Sequence, residues 1–180
     1  MWHRCSLNNQ LTLILNIVKD PRYNLIRPKY KRGEIRQFSD IFQTLPRSLV
    51  AKDLGKEKGR FNELIDNPDE FTWSELKKFS SNCEMSIAGF CLLIEKEHPN
   101  DQPKPFKYKD VKIMFEEGKL KRLDDVFIYI HKSTVAKDLG KKRDTLNRLL
   151  ENADRFTLRD IRSLAELCGL NLEEMLTLIN

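Results

Sequence analysis

The chain has 180 residues, 40% of them hydrophobic and 33% charged, with a formal net charge of +5. Such a hydrophobic content is ordinary for a soluble globular protein, and the most apolar stretch, Leu11–Val18, is too short for a membrane-spanning helix, which needs about 20 residues. A basic chain often binds nucleic acid, but here the positive excess lies in residues 1–32 and 98–109, so charge alone decides little.

Residues 1–20 form a leader. Its apolar part is followed by Lys-Asp-Pro-Arg rather than by the small-residue cleavage site of a secretory signal. Two alternatives stay open for it. The leader packs against the first module, residues 21–97, as a strand or short helix, or it is an upstream extension of little consequence. Without a secretion signal and with free thiols, we expect a cytoplasmic protein.

The main feature of the sequence is an internal repeat. With a fixed offset of 85 and no gap, residues 21–94 match residues 106–179 at 21 of 74 positions, and Val50–Lys56 recurs letter for letter at 135–141. A repeat of this kind indicates one structural unit present twice, and each copy is of a size that can fold alone. The predicted organisation is a leader at 1–20, a first module at 21–97, a linker at 98–109 and a second module at 110–180.

Both modules are predicted to be helical throughout, which makes the fold class all-α, with two repeated bundles of the five-helix type to which each module adds helical segments upstream. Apolar residues recur at helical spacing, and glycines mark helix ends. Thr72 with Glu75, and Thr157 with Asp160, have the form of a capping box at a helix start. Three prolines in the linker favour an extended path. The helices predicted in the second module are 111–117, 122–130, 132–139, 143–151, 158–168 and 171–179.

Two helices of each module are predicted to meet at a sharp corner. Helices that cross at about 90–120° over a short turn need a small residue at their contact and a turn residue that tolerates positive φ. Ala136 and Gly140 supply these in the second module, as Ala51 and Gly55 do in the first. The apolar residues predicted to seal the two corners are Val50, Leu54, Phe61, Leu64, Val135, Leu139, Leu146 and Leu149.

On these residues, the stretch from Ser133 to Leu178 resembles the helix-turn-helix DNA-binding domain of phage-repressor and Cro-type regulators. The shared features are Ala and Gly four residues apart, a leucine six residues after the glycine, and Asn-Arg-Leu-Leu-Glu-Asn at the end of the second motif helix. The whole chain also looks like bacterial proteins with tandem modules. One departure is the residue after the turn glycine, usually apolar in the family, which is Lys56 or Lys141 here.

The resemblance implies that the N-terminal part of the second motif helix enters the DNA major groove. In the second module the residues implied to face bases are Lys142, Arg143, Asp144 and Asn147. Those implied to lie nearer the DNA backbone are Lys141, Thr145 and Arg148. The matched candidates of the first module are Lys56, Lys58, Arg60 and Asn62, but three acids share that helix. Because acids repel phosphate, we expect the second module to dominate DNA binding.

Nothing in the sequence favours catalysis. The three histidines are far apart, the four cysteines lack the spacing of a metal site, and there is no Gly-rich phosphate loop or nucleophile motif. We therefore expect no enzymatic activity, no cofactor, no metal and no small-molecule substrate.

The function predicted from sequence is specific binding of double-stranded DNA by a transcriptional regulator whose two modules act as a covalent pseudo-dimer. An alternative stays open. The chain could be a helical protein-interaction module that keeps the helix-turn-helix fold without reading DNA, with a protein partner bound through the first module. The acids in the first module favour this alternative.

Overall fold

The computed structural model describes residues 19–100 and 103–179. These residues form helices joined by short turns, and they contain no β-strand beyond one isolated antiparallel bridge between Thr72 and Thr157. The all-α fold class is therefore confirmed for this part of the chain. The predicted packing of the leader lies outside the described residues, apart from Lys19 and Asp20.

The helices of the first module are short and follow each other closely. Three 3-10 helices occur, at Pro21–Leu25, Phe38–Gln43 and Pro68–Glu70. The α-helices are α1 (Ile26–Lys31), α2 (Arg47–Asp53), α3 (Lys58–Asp66), α4 (Trp73–Asn82) and α5 (Ile87–Glu97).

The second module repeats this order. Its α-helices are α6 (Lys109–Glu116), α7 (Leu123–Tyr129), α8 (Lys132–Asp138), α9 (Arg143–Glu151), α10 (Leu158–Cys168) and α11 (Leu172–Ile179), with a 3-10 helix at Ala153–Arg155. The bounds of α9 and α10 agree with the prediction, and the other helices of this module start and end within two residues of it. The helices α2 and α8 begin and end at positions that the repeat matches, and so do α3 and α9.

The predicted corner residues lie where the sequence placed them. Ala51 and Ala136 are 2% and 1% exposed, and they lie in α2 and α8, which pack against α3 and α9. Gly55 and Gly140 have φ values of +69° and +68°, a conformation that glycine adopts without steric penalty. Both predictions are confirmed.

The two modules pack against each other about a local twofold axis. The Trp73 N–H donates to the Phe156 carbonyl at 2.7 Å, and the Leu158 N–H donates to the Phe71 carbonyl at 2.9 Å. The donors Trp73 and Leu158 occupy matched positions of the repeat, and so do the acceptors Phe71 and Phe156. Each module therefore donates one hydrogen bond to the other and accepts the equivalent bond in return. Such an interface is isologous. All four side chains are buried.

Ion pairs across the interface repeat this symmetry. The Arg162 Nη1 lies 2.6 Å from the Asp69 carboxylate, and the matched residues, Lys77 and Asp154, also form an ion pair. The capping boxes predicted at Thr72 and Thr157 are present, and they fix the starts of α4 and α10 at the place where the modules meet.

The linker is held on the surface of the second module. The Asn100 side-chain amide and the Lys104 N–H donate to the two carboxylate oxygens of Glu166, at 2.5 and 2.7 Å. The Tyr108 N–H donates to the Leu167 carbonyl at 2.9 Å. Residues 103–108 are non-helical, as the prolines predict, but they are not a free spacer. The arrangement of the two modules is therefore set by direct contacts.

Candidate nucleic-acid interface

The corner between α8 and α9 is closed by backbone hydrogen bonds. The Gly140 N–H donates to the Lys137 carbonyl at 3.0 Å, and the Lys141 N–H donates to the Ala136 carbonyl at 2.8 Å. This pair of bonds around a left-handed glycine ends one helix and redirects the chain into the next. The first module has the same two bonds at the matched positions. Each module thus presents its second corner helix in the same way.

The outer face of α9 carries most of the second-module candidates. Leu146 and Leu149 are buried on its inner face and Asn147 is half-buried. The exposed candidates are Lys142, Arg143, Asp144, Thr145 and Arg148. None of the three cations in this set forms an ion pair within the described residues. Their charge is available to an outside anion.

The matched helix α3 is electrostatically different. The Arg60 guanidinium donates to the Glu63 carboxylate at 2.8 Å, and this hydrogen bond raises the pKa of Arg60. Lys58 is exposed and has no ion pair among the described residues, but Glu57 is exposed beside it. Arg143 and Arg148 of α9 are exposed without an ion pair in the described part of the chain, although Asp144 and Glu151 are exposed on the same helix. This contrast favours the expectation that the second module dominates, which stays a prediction.

The lysine after each turn glycine has a partner that the sequence analysis missed. The Lys141 Nζ lies 2.9 Å from the Asp160 carboxylate, whose side chain is only 8% exposed, and Lys56 forms the same ion pair with Glu75. Each acid is also the capping-box residue of the next helix. The departure from an apolar residue is thereby explained, because the lysine neutralises an acid close to the core. The sequence feature that could have revealed this ion pair is the recurrence of both the lysine and the acid at matched positions of the two copies.

Replacing Lys141 with alanine should destabilise the protein by about 1–2 kcal/mol, because a nearly buried carboxylate loses its cation. Thermal unfolding of the full chain measures the effect. The control is Lys142→Ala, one residue along and outside any ion pair of the described residues, which should change stability by less than about 0.5 kcal/mol. Equal melting temperatures for the two variants would show that the Lys141 ion pair is not structural.

The two candidate asparagines are less open than the sequence suggests. The Asn62 Oδ1 is buried and has no hydrogen-bond partner among the described residues, and Asn147 is half-buried. A base contact by Asn62 would therefore require a different side-chain conformation.

The end of α8 is tied to the linker. Asp138 accepts hydrogen bonds from the Lys107 ammonium at 2.6 Å and from the Tyr108 hydroxyl at 2.7 Å. These bonds, the first of them above all, hold the pKa of Asp138 below its ordinary value. The linker thus holds the end of α8 as well as α10.

Comparisons of this chain with protein-family models, with curated proteins and with solved structures find no match. Within residues 19–100 and 103–179, no group of three or more His, Cys, Asp or Glu side chains is placed to hold a metal ion. No helix in those ranges is long and apolar enough to cross a membrane.

Proposed function

We propose that this protein is a transcriptional regulator that binds double-stranded DNA sequence-specifically. Its two modules act as helix-turn-helix units of the phage-repressor and Cro type, and together they form a covalent pseudo-dimer. In this role the chain works in the bacterial cytoplasm, without a cofactor and without a catalytic step.

The observation that carries the proposal is the twofold packing of the modules. A twofold rotation that relates the two modules also relates α3 to α9, so the two helices lie at the same height along that axis. Each helix ends just before a 3-10 helix of the interface, Pro68–Glu70 or Ala153–Arg155. The N-terminal turn of each helix therefore lies about 12 Å from the interface, measured along the helix. A symmetric pair of exposed helices is what a dimeric helix-turn-helix protein offers to two half-sites.

The charges of the two corners support unequal roles. Residues 131–152 contain six Lys and Arg against three acids, whereas residues 46–67 contain five against four. Arg143 is at the exposed N-terminal end of α9, where an arginine can pair with the O6 and N7 atoms of guanine. The second module then supplies most of the sequence preference, and the first module sets the position of the protein along the DNA.

The preferred DNA site is expected to be an inverted repeat rather than a direct repeat. A tandem gene duplication is compatible with either, but a twofold interface presents the two helices in opposite directions. Selection from a random duplex pool followed by titration tests this. With the two half-sites placed about ten base pairs apart, the inverted arrangement should bind at least about tenfold more tightly than the direct one.

Equal binding to inverted and direct repeats would show that the two modules do not keep their twofold contact when they bind DNA. Absence of any enriched sequence, together with no salt-dependent binding at low ionic strength, would remove the DNA-binding proposal altogether.

One observation favours a protein-interaction module, although it lies on the second module and not on the first, where the sequence placed the partner. Ile128 and Tyr129 in α7 are 75% and 44% exposed, whereas the matched residues of the first module are Gln43 and Thr44. Exposed apolar residues in a group mark protein contact sites in many proteins. In that case the chain would bind a protein while showing no salt-dependent affinity for random DNA fragments.

A further inference from the structure

Arg162, at the junction of the two modules, is a buried arginine with three of its five N–H donors unused. The residue is 4% exposed. Its Nη1 donates to the Asp69 carboxylate at 2.6 Å and to the His98 carbonyl at 3.1 Å. The Nε and Nη2 atoms are buried and have no hydrogen-bond partner among the described residues. Leaving charged donors unpaired inside a protein is costly.

The unused atoms form one edge of the guanidinium. The N–H groups on that edge are parallel and match the two oxygens of a carboxylate or phosphate. Asp69 does not occupy this edge, because it accepts from Nη1. Arg162 therefore keeps a complete bidentate anion-binding edge free while its other edge joins the modules.

Arg162 lines two clefts, and their charges differ. One has a volume of about 270 Å³ and is lined by Glu95, Glu166 and Glu173. The other has a volume of about 470 Å³ and includes Lys104 and Arg159, a size typical of small-molecule sites. The remaining residues of the larger cleft are Asp69, Pro99, Asn100 and Ser163. An oxyanion is repelled by the three glutamates of the first cleft. In the second cleft it is attracted mainly by Lys104, because Arg159 is already paired with Glu70.

The twofold symmetry shows that this arrangement is not required for the interface itself. At the matched position Lys77 is paired with Asp154 and its side chain is 44% exposed. The interface is thus made on one side by an exposed lysine. On the other side a buried arginine under the linker offers donors that the interface does not use.

We propose that the larger cleft, which we call the junction cleft, binds a small phosphate- or carboxylate-bearing molecule. The oxyanion takes the Nε and Nη2 groups of Arg162 and the ammonium of Lys104. Because Nε and Nη2 are closed to solvent in this structure, binding requires a small rotation of the guanidinium into the cleft while Nη1 keeps Asp69. The bound anion joins the linker, α10 and the first module, so it stabilises the arrangement of the modules. The proposal does not depend on DNA binding.

Inorganic phosphate is the probe for the test, added to the full chain without DNA. Calorimetric titration and thermal unfolding are measured at constant ionic strength, with chloride as the balancing salt. We expect saturable phosphate binding and a melting temperature that rises with phosphate. Arg162→Lys keeps a charge for Asp69 but loses the bidentate edge, so it should weaken phosphate binding at least about tenfold. Lys104→Ala should weaken it several-fold.

Matched variants distinguish this site from other basic surfaces. Lys77→Ala, at the symmetry-related position, and the double variant Lys142→Ala with Arg143→Ala on α9 should both bind phosphate like the unchanged protein. Unchanged phosphate affinity in Arg162→Lys would overturn the proposal, and if that variant does not fold, unchanged affinity in Lys104→Ala does so. If phosphate does not bind but affinity for a DNA duplex falls in Lys104→Ala, the ligand is the DNA backbone, and the small-molecule proposal is wrong.

Discussion

Replacing Ala136 with leucine should lower the free energy of unfolding by about 1–3 kcal/mol, because overpacking a close helix contact forces the helices apart. Ala136 is 1% exposed in α8, and α8 packs against α9. The carbonyl of Ala136 also accepts the hydrogen bond that closes the turn at Lys141. A larger side chain therefore disturbs both the helix contact and the turn that orients α9. Domains of this size have a net stability of only about 5–15 kcal/mol, so the change is large in proportion.

The matched variants make this a strict test. Ala51→Leu changes the corresponding position of the first module and should destabilise by a similar amount. Thr134→Leu adds the same side chain to an exposed position of α8 and should leave stability within about 0.5 kcal/mol. Urea and thermal unfolding of the full chain are followed by circular dichroism. If Ala136→Leu and Thr134→Leu unfold alike, the close contact between α8 and α9 does not exist in solution.

The features that the sequence predicted are local ones. Helix starts at Thr72 and Thr157 depend on contacts within four residues, so the capping pattern predicts them directly. The left-handed turns at Gly55 and Gly140 follow from the conformational freedom of a single residue type. The repeat gave two observations for each position, since a position that is apolar in both copies is buried or packed against the core in both. For these reasons the elements of the second module were placed within two residues of their observed bounds.

The features that the sequence did not predict depend on how distant segments meet. A repeat is equally compatible with modules that are related by translation, related by rotation or independent. Nothing in the sequence therefore predicted the twofold contact at Thr72 and Thr157. The partner of Lys141 is Asp160 on another helix, and only the folded turn brings the two together. The prolines of the linker predicted its extended path but not its attachment to Glu166. On the candidate interface, sequence identified the exposed cations of α9 but not the burial of the Asn62 amide oxygen.

The proposed DNA complex depends both on features that the sequence predicted and on features that it did not. The helix that would enter the groove was identified from sequence, but its use depends on the twofold axis, which was seen only in the structure. Because the linker and the interface ion pairs hold the modules together, the protein would not lose entropy in bringing two subunits together on DNA. In this proposal a covalent pair also keeps the first module, which we expect to bind DNA more weakly, at a high local concentration.

Replacing Arg143 with alanine should weaken binding to the preferred DNA site by about 1–3 kcal/mol, which is roughly 5- to 150-fold, and should relax the preference at one base pair. Arg143 is the first residue of α9, is exposed and has no ion-pair partner in the described part of the chain, so the change should leave the fold intact. Arg143→Lys keeps the charge but loses the bidentate geometry, and it should therefore lose preference for that base pair while retaining much of the general affinity.

The first module supplies the matched control for Arg143→Ala, since Lys58 occupies the equivalent position of the repeat and begins α3. Lys58→Ala should weaken binding less than Arg143→Ala does, because the acids of α3 already oppose close approach of phosphate. Fluorescence anisotropy titrations with the selected duplex, with a duplex changed at one base pair and with a scrambled duplex measure all three variants at several salt concentrations. If Arg143→Ala lowers affinity equally for the selected and scrambled duplexes, Arg143 contacts the backbone and not a base. If Lys58→Ala has the larger effect, the first module is the one that reads DNA, and the assignment of roles drawn from the charges of α3 and α9 is reversed.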